Sequence, residues 1–202
     1  MPKITIIGNT YVGKTSLVDM FCNNRMAIAP TIGAAFQSIK HNGRKLEIWD
    51  TAGMERYQAL APMYVRNANI IVFVFDITSH KSYNGLFNTW IPFIESYISK
   101  KTRYIFVGNK IDKHINIQHH PIYTEIRERL AITSIGGLSL IDAPVIWTSA
   151  INNTNVLDLF DTIVEMCPRT LDPKEEIINV ETTYDLSDQG KHPLSIFRCF
   201  PW

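Results

Sequence analysis

The chain has 202 residues, of which 46% are hydrophobic and 19% are charged, and its formal net charge at pH 7 is +1. This size and composition predict one soluble globular domain with some spare length, and the near-neutral charge gives no reason to propose a nucleic-acid partner. No apolar run reaches the roughly 20 residues that span a bilayer, and the N-terminus lacks the layout of a secretory signal. Widely separated cysteines without metal-ligand spacing predict a reducing compartment, which is the cytosol or a cytosolic membrane face.

Strands and helices are predicted to alternate along the chain. A short apolar strand at residues 4–7 is followed by a glycine-bearing loop and a helix at about 14–22, and β-like segments at 36–41 and 44–50 flank the hairpin signal Asn42-Gly43. Later strands are predicted at 70–75, 103–107 and 144–148, and later helices at about 82–98, 122–132 and 156–166. This alternation predicts an α/β fold with a mostly parallel, doubly wound sheet, whose ligands lie at the carboxyl ends of the strands. Residues 1–167 are predicted to form this domain and 168–202 a variable tail.

Residues 8–15 read G-N-T-Y-V-G-K-T and match the phosphate-loop pattern G-x-x-x-x-G-K-[ST] between a predicted strand and a predicted helix. Gly8 and Gly13 let the chain wrap so that successive backbone N–H groups and the helix N-terminus point at phosphate oxygens. Lys14 adds a charge toward the β- and γ-phosphates, and the Thr15 hydroxyl is a ligand for the Mg²⁺ that bridges them. The pattern does not choose the base, because ATPases and nucleotide kinases also carry it.

A second pattern, N-K-I-D at residues 109–112, follows an apolar predicted strand. The Asp112 carboxylate can accept from guanine N1–H and N2–H₂ together, whereas adenine has no donor at N1. A site built on such a pair can reject the wrong base by about 10⁴ or more. Asn109 can bond the other edge of the base and hold the phosphate loop, and Lys110 can lay its alkyl stem over the ring. After the last strand, T-S-A at 148–150 can present backbone N–H groups to guanine O6.

Two further segments complete a predicted Mg²⁺ and phosphate site. Asp50 ends the third predicted strand, within W-D-T-A-G at residues 49–53, and can hold Mg²⁺ through water. The Gly53 N–H can reach the γ-phosphate. Thr31, within P-T-I-G at 30–33, is placed to add a second hydroxyl to the metal.

These motifs occur in the order that is typical of the Ras superfamily, and the chain resembles its Rab branch over residues 3–166. T-I-G-A-A-F at 31–36 and W-D-T-A-G-M-E-R-Y at 49–57 carry the likeness to Rab proteins. The resemblance implies a small G domain of the P-loop NTPase type, with one antiparallel edge strand and helices on both faces of the sheet. It further implies a monomeric GTP/GDP switch in vesicle and membrane traffic, with effector and regulator proteins contacting residues 26–36 and 53–66.

The chain departs from the family pattern at the position that orients the attacking water. Met54 stands where the family has a glutamine, and a thioether offers only a weak acceptor and no donor. Because hydrolysis depends on positioning and is already slow, on the order of 10⁻⁴ s⁻¹ in Ras, we expect impaired intrinsic hydrolysis. Alternatively, Met54 packs in a loop and another group, such as Glu55, positions the water.

Other departures affect the predicted nucleotide contacts. Thr10 and Tyr11 replace small residues of the family. Their side chains can crowd the attacking water or the arginine of an activating protein; alternatively, Tyr11 folds over the nucleotide as a lid. Met26 falls where an aromatic residue normally covers the guanine edge, which predicts faster nucleotide exchange unless Met26 is simply an exposed loop residue. Ile151 replaces the lysine that follows S-A in the family and removes a contact that stiffens the base site.

The later part of the chain also differs from the family. The stretch between residues 112 and 149 is about ten residues longer than usual, and the partly apolar segment around 134–141 is expected to be a packed surface loop, with a partner site as the alternative. At the C-terminus, C-F-P-W at 199–202 is a poor prenylation match, and the net acidic tail lacks the basic charge that assists membrane binding. The protein is expected in the cytoplasm or on cytosolic membrane faces as a peripheral protein. No good lipidation motif supports the membrane location.

The sequence therefore predicts a guanine-nucleotide site with GTP or GDP as ligand and Mg²⁺ as cofactor. The residues predicted to contact the nucleotide are Asn9, Thr10, Tyr11, Val12, Gly13, Lys14, Thr15, Ser16, Met26, Pro30, Thr31, Gly53, Asn109, Lys110, Asp112, Ser149, Ala150 and Ile151. The predicted metal ligands are Thr15, Thr31 and Asp50, and the predicted catalytic positions are Lys14, Thr31, Gly53 and the degenerate Met54. Two alternatives stay open: a hydrolysis-deficient, nucleotide-bound interaction module, and an ATP-using P-loop enzyme, which the Asp112 carboxylate disfavours.

Overall fold

A computed structural model describes residues 1–23, 31, 33–53 and 60–167. The strands in chain order are β1 (Lys3–Ile7), β2 (Ala34–His41), β3 (Arg44–Thr51), β4 (Ile70–Asp76), β5 (Arg103–Asn109), β6 (Ser134–Ile135), β7 (Leu138–Ser139) and β8 (Val145–Thr148). Strands β6 and β7 form a separate hairpin, and the other six form one sheet in the order β2-β3-β1-β4-β5-β8. All neighbouring pairs in this sheet are parallel except β2 and β3. The predicted mostly parallel sheet with one antiparallel edge strand is confirmed.

The helices surround this sheet. They are α1 (Lys14–Asn23), α2 (Ala61–Val65), α3 (His80–Gly85), α4 (Ile91–Ile94), α5 (Pro121–Ile132) and α6 (Val156–Met166), with short 3₁₀ turns at Glu95–Tyr97, Ile111–Lys113 and Ile117–His119. The helix predicted at 82–98 begins earlier, at His80, and contains a π-helical turn at Leu86–Trp90 between α3 and α4. Pro92, in the first turn of α4, lacks an N–H, and a proline ring disfavours ordinary α geometry at the carbonyl four residues earlier, so a wider turn before it is expected.

Strand β4 divides its side chains between two apolar cores. Phe73 and Phe75 pack with residues of α3, α4 and α5, whereas Val72 and Val74 pack with residues of α1 and α6. Successive strand residues point to opposite faces, so the two cores lie on opposite sides of the sheet. All residues of β4 are buried, which explains why its sequence is a continuous apolar run rather than an alternating one. Helices therefore cover both faces, as predicted.

Two turns show how local sequence sets the chain path. Asn42 and Gly43 join β2 to β3 with positive φ angles of 45° and 76°, so the predicted tight hairpin turn is confirmed. The longer segment between α5 and β8 forms the β6–β7 hairpin, in which Ile135 and Leu140 are buried in the core beside α5. The Gly136 N–H donates to Glu95 Oε1 at 2.8 Å. The expected packed surface loop is thus a small anchored hairpin.

Several predicted features lie outside the described residues. These are Met26, Pro30, Met54, Glu55 and the tail at 168–202. The division into a domain at 1–167 and a tail therefore stays a prediction. None of the helices that the structure describes is both long and apolar enough to cross a membrane.

Candidate functional site

The phosphate loop joins β1 to α1 and fits closely against neighbouring strands. A Cβ atom at Gly8 would lie 2.1 Å from the carbonyl oxygen of Val74, and one at Gly13 would lie 2.3 Å from Nδ2 of Asn109. Gly13 also has a φ of 95°, a conformation that other residues rarely adopt. Both glycines of the pattern are therefore needed for close approach as well as for wrapping the loop.

Lys14 opens α1 and is almost fully buried, with 5% of its surface exposed. Its ammonium donates to the carbonyl oxygens of Gly8 and Asn9, both at 2.9 Å. Burial lowers the pKa of Lys14 to about 8, and the charge of Asp50 opposes this shift. Among the residues described, only the loop carbonyls and one more distant carboxylate balance this buried cation. The site is therefore suited to bind an anion that enters the loop.

Three side-chain oxygens from separate segments meet beside this lysine. The Thr15 hydroxyl donates to Asp50 Oδ2 at 2.5 Å and lies 2.6 Å from the Thr31 hydroxyl, which is 3.2 Å from the same carboxylate oxygen. Burial raises the pKa of Asp50, and hydrogen bonds from both threonines and the Lys14 charge oppose the rise. The predicted metal ligands Thr15, Thr31 and Asp50 are therefore brought together.

This cluster passes a chemical test for Mg²⁺. The Thr15 and Thr31 hydroxyls are 2.6 Å apart, near the separation of about 3 Å between neighbouring ligands on an octahedron with bonds of about 2.1 Å. Asp50 Oδ2 lies close to both hydroxyls, where it could hold a metal-bound water. All three are hard oxygen donors, which Mg²⁺ prefers. Asp50 Oδ1 is buried and finds no hydrogen-bond partner within the described part of the chain, so the carboxylate has an unused acceptor for a metal-bound water.

Gly53 closes against the phosphate loop from the end of β3. A Cβ atom there would lie 2.4 Å from the carbonyl oxygen of Asn9 and 2.5 Å from Lys14 Nζ. The preceding residue is held in place because the Ala52 N–H donates to the Gly33 carbonyl oxygen at 2.8 Å. Only glycine allows this approach, so Gly53 is next to the predicted phosphate position.

Asn109 connects the predicted base and phosphate sites. Its Nδ2 donates to the Val12 carbonyl oxygen at 2.9 Å, and its Oδ1 accepts from the Thr148 hydroxyl at 3.1 Å and the Ala150 N–H at 3.3 Å. The carboxamide therefore ties the phosphate loop to the carboxyl ends of β5 and β8. The Ala150 N–H is engaged by Asn109 here, and its contact with guanine O6 stays a prediction.

Asp112 follows β5 and is oriented by Ser149. The Ser149 hydroxyl donates to Asp112 Oδ1 at 2.6 Å and also accepts from the Asn152 N–H at 3.1 Å. Lys113 Nζ lies 3.9 Å from Asp112 Oδ2. The side chain of Ile151 is 54% exposed, so an apolar residue stands on the surface where the family lysine was expected. The structure brings Asp112, Ser149 and Asn109 together at one edge of the sheet.

Two contacts in this region were missed by the sequence prediction. Lys110 Nζ lies 2.8 Å from Asp76 Oδ2, at the carboxyl end of β4, and Trp90 Nε1 donates to Asn9 Oδ1 at 2.8 Å. The position of Asp76 as the last residue of a buried strand is a usable signal, because ligands of parallel sheets lie at that edge. Nothing in the sequence pattern points to Trp90, because its contact depends on how α3 and the π turn cross the loop.

Tyr11 occupies an unusual place in the phosphate loop. Its φ is 64°, which is uncommon for an aromatic residue, and 77% of its side chain surface is exposed. A strained, exposed residue of this kind often marks a functional position. Of the other predicted loop residues, Val12 is buried in the core, whereas Thr10 and Ser16 are partly exposed. The lid and crowding interpretations of Tyr11 both stay open.

Comparison with known proteins agrees with this geometry. The model of the Ras family matches residues 3–169. The chain is 30% identical over 198 residues to GTP-binding protein YPT1 of Saccharomyces cerevisiae, covering 93% of this chain and 87% of YPT1. It is 34% identical to human Rab-21 over 180 residues, covering 84% and 72% of the two chains, and 34% identical to rat Rab-31 over 183 residues, covering 86% of each. The chain is thus a Rab-like member of the Ras family of small GTPases.

Proposed function

We propose that this chain binds GTP and GDP with Mg²⁺ and acts as a switch in membrane traffic, with slow GTP hydrolysis. The observation that carries the proposal is the meeting of two sets of groups at one sheet edge. One set is Lys14 with the Thr15, Thr31 and Asp50 oxygens, and the other is Asp112 with Ser149. Asn109 joins the sets through its bond to the phosphate loop. A bipartite site of this form suits a nucleoside triphosphate.

Each group has a distinct task in this proposal. Lys14 would turn from the loop carbonyls to the β- and γ-phosphates, Thr15 and Thr31 would hold Mg²⁺, and Asp50 would hold it through water. When bound, Mg²⁺ supplies positive charge to the phosphate oxygens. Asp112 selects guanine, and the Gly53 N–H contacts the γ-phosphate. Hydrolysis then depends on how well the remaining groups position water.

Replacing Met54 by glutamine tests the proposed cause of slow hydrolysis. Glutamine supplies a donor and an acceptor that methionine lacks, so single-turnover GTP hydrolysis by M54Q should be about tenfold faster or more. The measurement is phosphate release from purified protein preloaded with GTP and Mg²⁺. M63Q is a matched control, because Met63 lies on α2 with 68% of its surface exposed. Equal rates for M54Q and the parent chain would remove Met54 as the cause.

A non-enzymatic alternative is a nucleotide-bound interaction module that does not turn over. The exposed, strained Tyr11 favours it, because a large side chain in the phosphate loop can obstruct an incoming catalytic residue. In the same assay, GTP that stays bound and intact for many hours in both the parent chain and M54Q would support this alternative. Phosphate release from the parent chain within that time would contradict it.

Effector and regulator proteins are proposed to contact residues 26–36 and 53–66. The described part of this surface carries an aromatic group in which Trp49 packs between Phe36 and Tyr64, with ring centroids 5.2 and 5.8 Å away. Phe36 is 52% exposed, which is typical of an anchor for a protein partner. Hydrogen exchange at residues 26–36 and 53–66 should therefore differ between GDP-bound and GTP-bound protein. Identical exchange would contradict a switch at this surface.

The cellular setting follows from the family. We propose a monomeric protein in the cytoplasm or peripheral on cytosolic membrane faces. Fractionation that places the full chain entirely inside a secretory compartment would contradict this location.

A further inference from the structure

Lys110 is held at both ends of its side chain. Its backbone has a φ of 70°, which is unusual for a residue with a long side chain, and its ammonium lies 2.8 Å from Asp76 Oδ2. The side chain remains 28% exposed despite this pairing. The four-carbon stem therefore runs between two fixed points while part of its surface is open to solvent.

Asp76 is itself held in one orientation. Its Oδ1 accepts from the Thr78 N–H at 2.8 Å and the Thr78 hydroxyl at 2.7 Å, which leaves Oδ2 directed at the lysine. Its backbone N–H donates to the Ser82 hydroxyl at 3.0 Å. Burial alone would raise the pKa of Asp76, but hydrogen bonds from Lys110 and Thr78 outweigh it, and the pKa is lowered. The carboxylate is thus an ionised and rigid anchor.

The sheet register places this anchor beside the base-reading loop. Asp76 and Asn109 are aligned as neighbours in the β4–β5 pair, and Lys110 is the next residue along the chain. Asp112 follows two residues later, where its carboxylate is held by Ser149. Lys110 therefore follows the residue that is paired with Asp76 in the sheet, and it precedes by two residues Asp112, the residue proposed to select the base.

We infer that Asp76 is a positioning residue for the nucleotide base, acting through Lys110, an inference that rests on the proposed guanine-nucleotide function. A free lysine side chain loses substantial rotamer entropy when a base packs on its stem. The ion pair to Asp76 removes much of that freedom before the nucleotide arrives, so less is lost on binding. The main consequence is slower nucleotide dissociation, since changes in affinity within related complexes occur mostly in the dissociation rate.

A double-mutant cycle tests this inference on the full chain. The variants are D76N, which removes the charge but keeps the shape, K110M, which keeps an unbranched stem without the ammonium, and the double variant. Dissociation of a fluorescent GDP analogue should be about tenfold faster for D76N, because an unanchored Lys110 must again be ordered. In the K110M background, D76N should add little, since its effect passes through the ammonium. D142N is the matched control, because Asp142 is an exposed carboxylate on a different loop.

The outcomes separate this inference from the proposed function. If the parent chain retains the GDP analogue and D76N releases it at the parent rate, the inference is overturned while the function stands. If D76N has the same effect in both backgrounds, with an equal fall in thermal midpoint, Asp76 supports the fold and does not act through Lys110. If the parent chain binds no guanine nucleotide, the proposed function fails and this inference fails with it.

Discussion

Replacing Lys14 by methionine should weaken GTP binding by about a hundredfold or more. The ammonium is almost completely buried, and its present acceptors are the carbonyl oxygens of Gly8 and Asn9. Removing one partner of a buried, hydrogen-bonded charge pair costs about 2–5 kcal/mol, and about 1.4 kcal/mol corresponds to a tenfold change in Kd. Methionine keeps an unbranched side chain of similar length, so the loss reports the charge rather than the packing. Titration calorimetry in magnesium buffer gives the Kd.

Comparing nucleotides with one, two and three phosphates shows whether the affinity lost in K14M comes from a contact with the β- and γ-phosphates. If the ammonium contacts the β- and γ-phosphates, the loss should be large for GTP and GDP and small for GMP. K113M is the matched control, because the Lys113 side chain is 59% exposed and points toward Asp112 Oδ2 at 3.9 Å. A K14M protein that binds GTP as tightly as the parent chain would remove Lys14 from the phosphate site.

Local sequence was sufficient where one short segment sets the chemistry. The G-x-x-x-x-G-K-T loop carries its own glycines, charge and hydroxyl, and the structure shows why Gly8 and Gly13 cannot carry side chains. The Asn42-Gly43 turn is likewise specified by two residues that tolerate positive φ. Hydrophobic periodicity and turn chemistry are set within a few residues, so the phosphate loop and the hairpin turn could be predicted without knowing the fold.

Contacts between distant segments could not be predicted with the same detail. The Asp76–Lys110 pair depends on the β4–β5 register, and the Trp90–Asn9 bond depends on a π turn placed over the phosphate loop. The parallel β4–β5 register and the crossing of the π turn over the phosphate loop each join segments far apart in sequence, and no tight turn fixes either of them. The predicted helix at 82–98 therefore overlapped the observed helical run, which begins at His80, but gave no indication of the wide turn that brings Trp90 to Asn9.

The order of the motifs along the chain predicted some contacts between distant segments that no single local pattern could predict. Thr15 and Asp50 are far apart in sequence, yet their oxygens are 2.5 Å apart. Thr15 was assigned to Mg²⁺ by the phosphate-loop pattern, whereas Asp50 was assigned because it ends the third predicted strand, at the carboxyl edge of the sheet. Asp76 satisfies the same rule and was missed, because it belongs to none of the patterns that pointed to the site.

Replacing Asp112 by asparagine should remove most of the preference for guanine over adenine. The carboxylate has two acceptor oxygens for guanine N1–H and N2–H₂, whereas asparagine offers one acceptor and one donor group. One of the two bonds would become a donor facing a donor, and discrimination should fall by about 10³ or more. The measurement is the Kd of GTP and of ATP for each protein in magnesium buffer. Xanthosine triphosphate, which has a carbonyl in place of the 2-amino group, should gain affinity for D112N.

The contact with Ser149 provides the control that separates selecting the base from orienting the carboxylate. S149A removes the hydroxyl that donates to Asp112 Oδ1 at 2.6 Å but leaves both acceptors of the carboxylate. It should therefore change GTP affinity by no more than about tenfold, since a single hydrogen bond to a charged group contributes about 1.5–3 kcal/mol and water can replace part of it. Selectivity that falls equally in S149A and D112N would mean that orientation, rather than the carboxylate charge, sets the preference. A parent chain that binds ATP and GTP equally would overturn the assignment of Asp112 altogether, because nothing else in the described site distinguishes the N1–H donor of guanine.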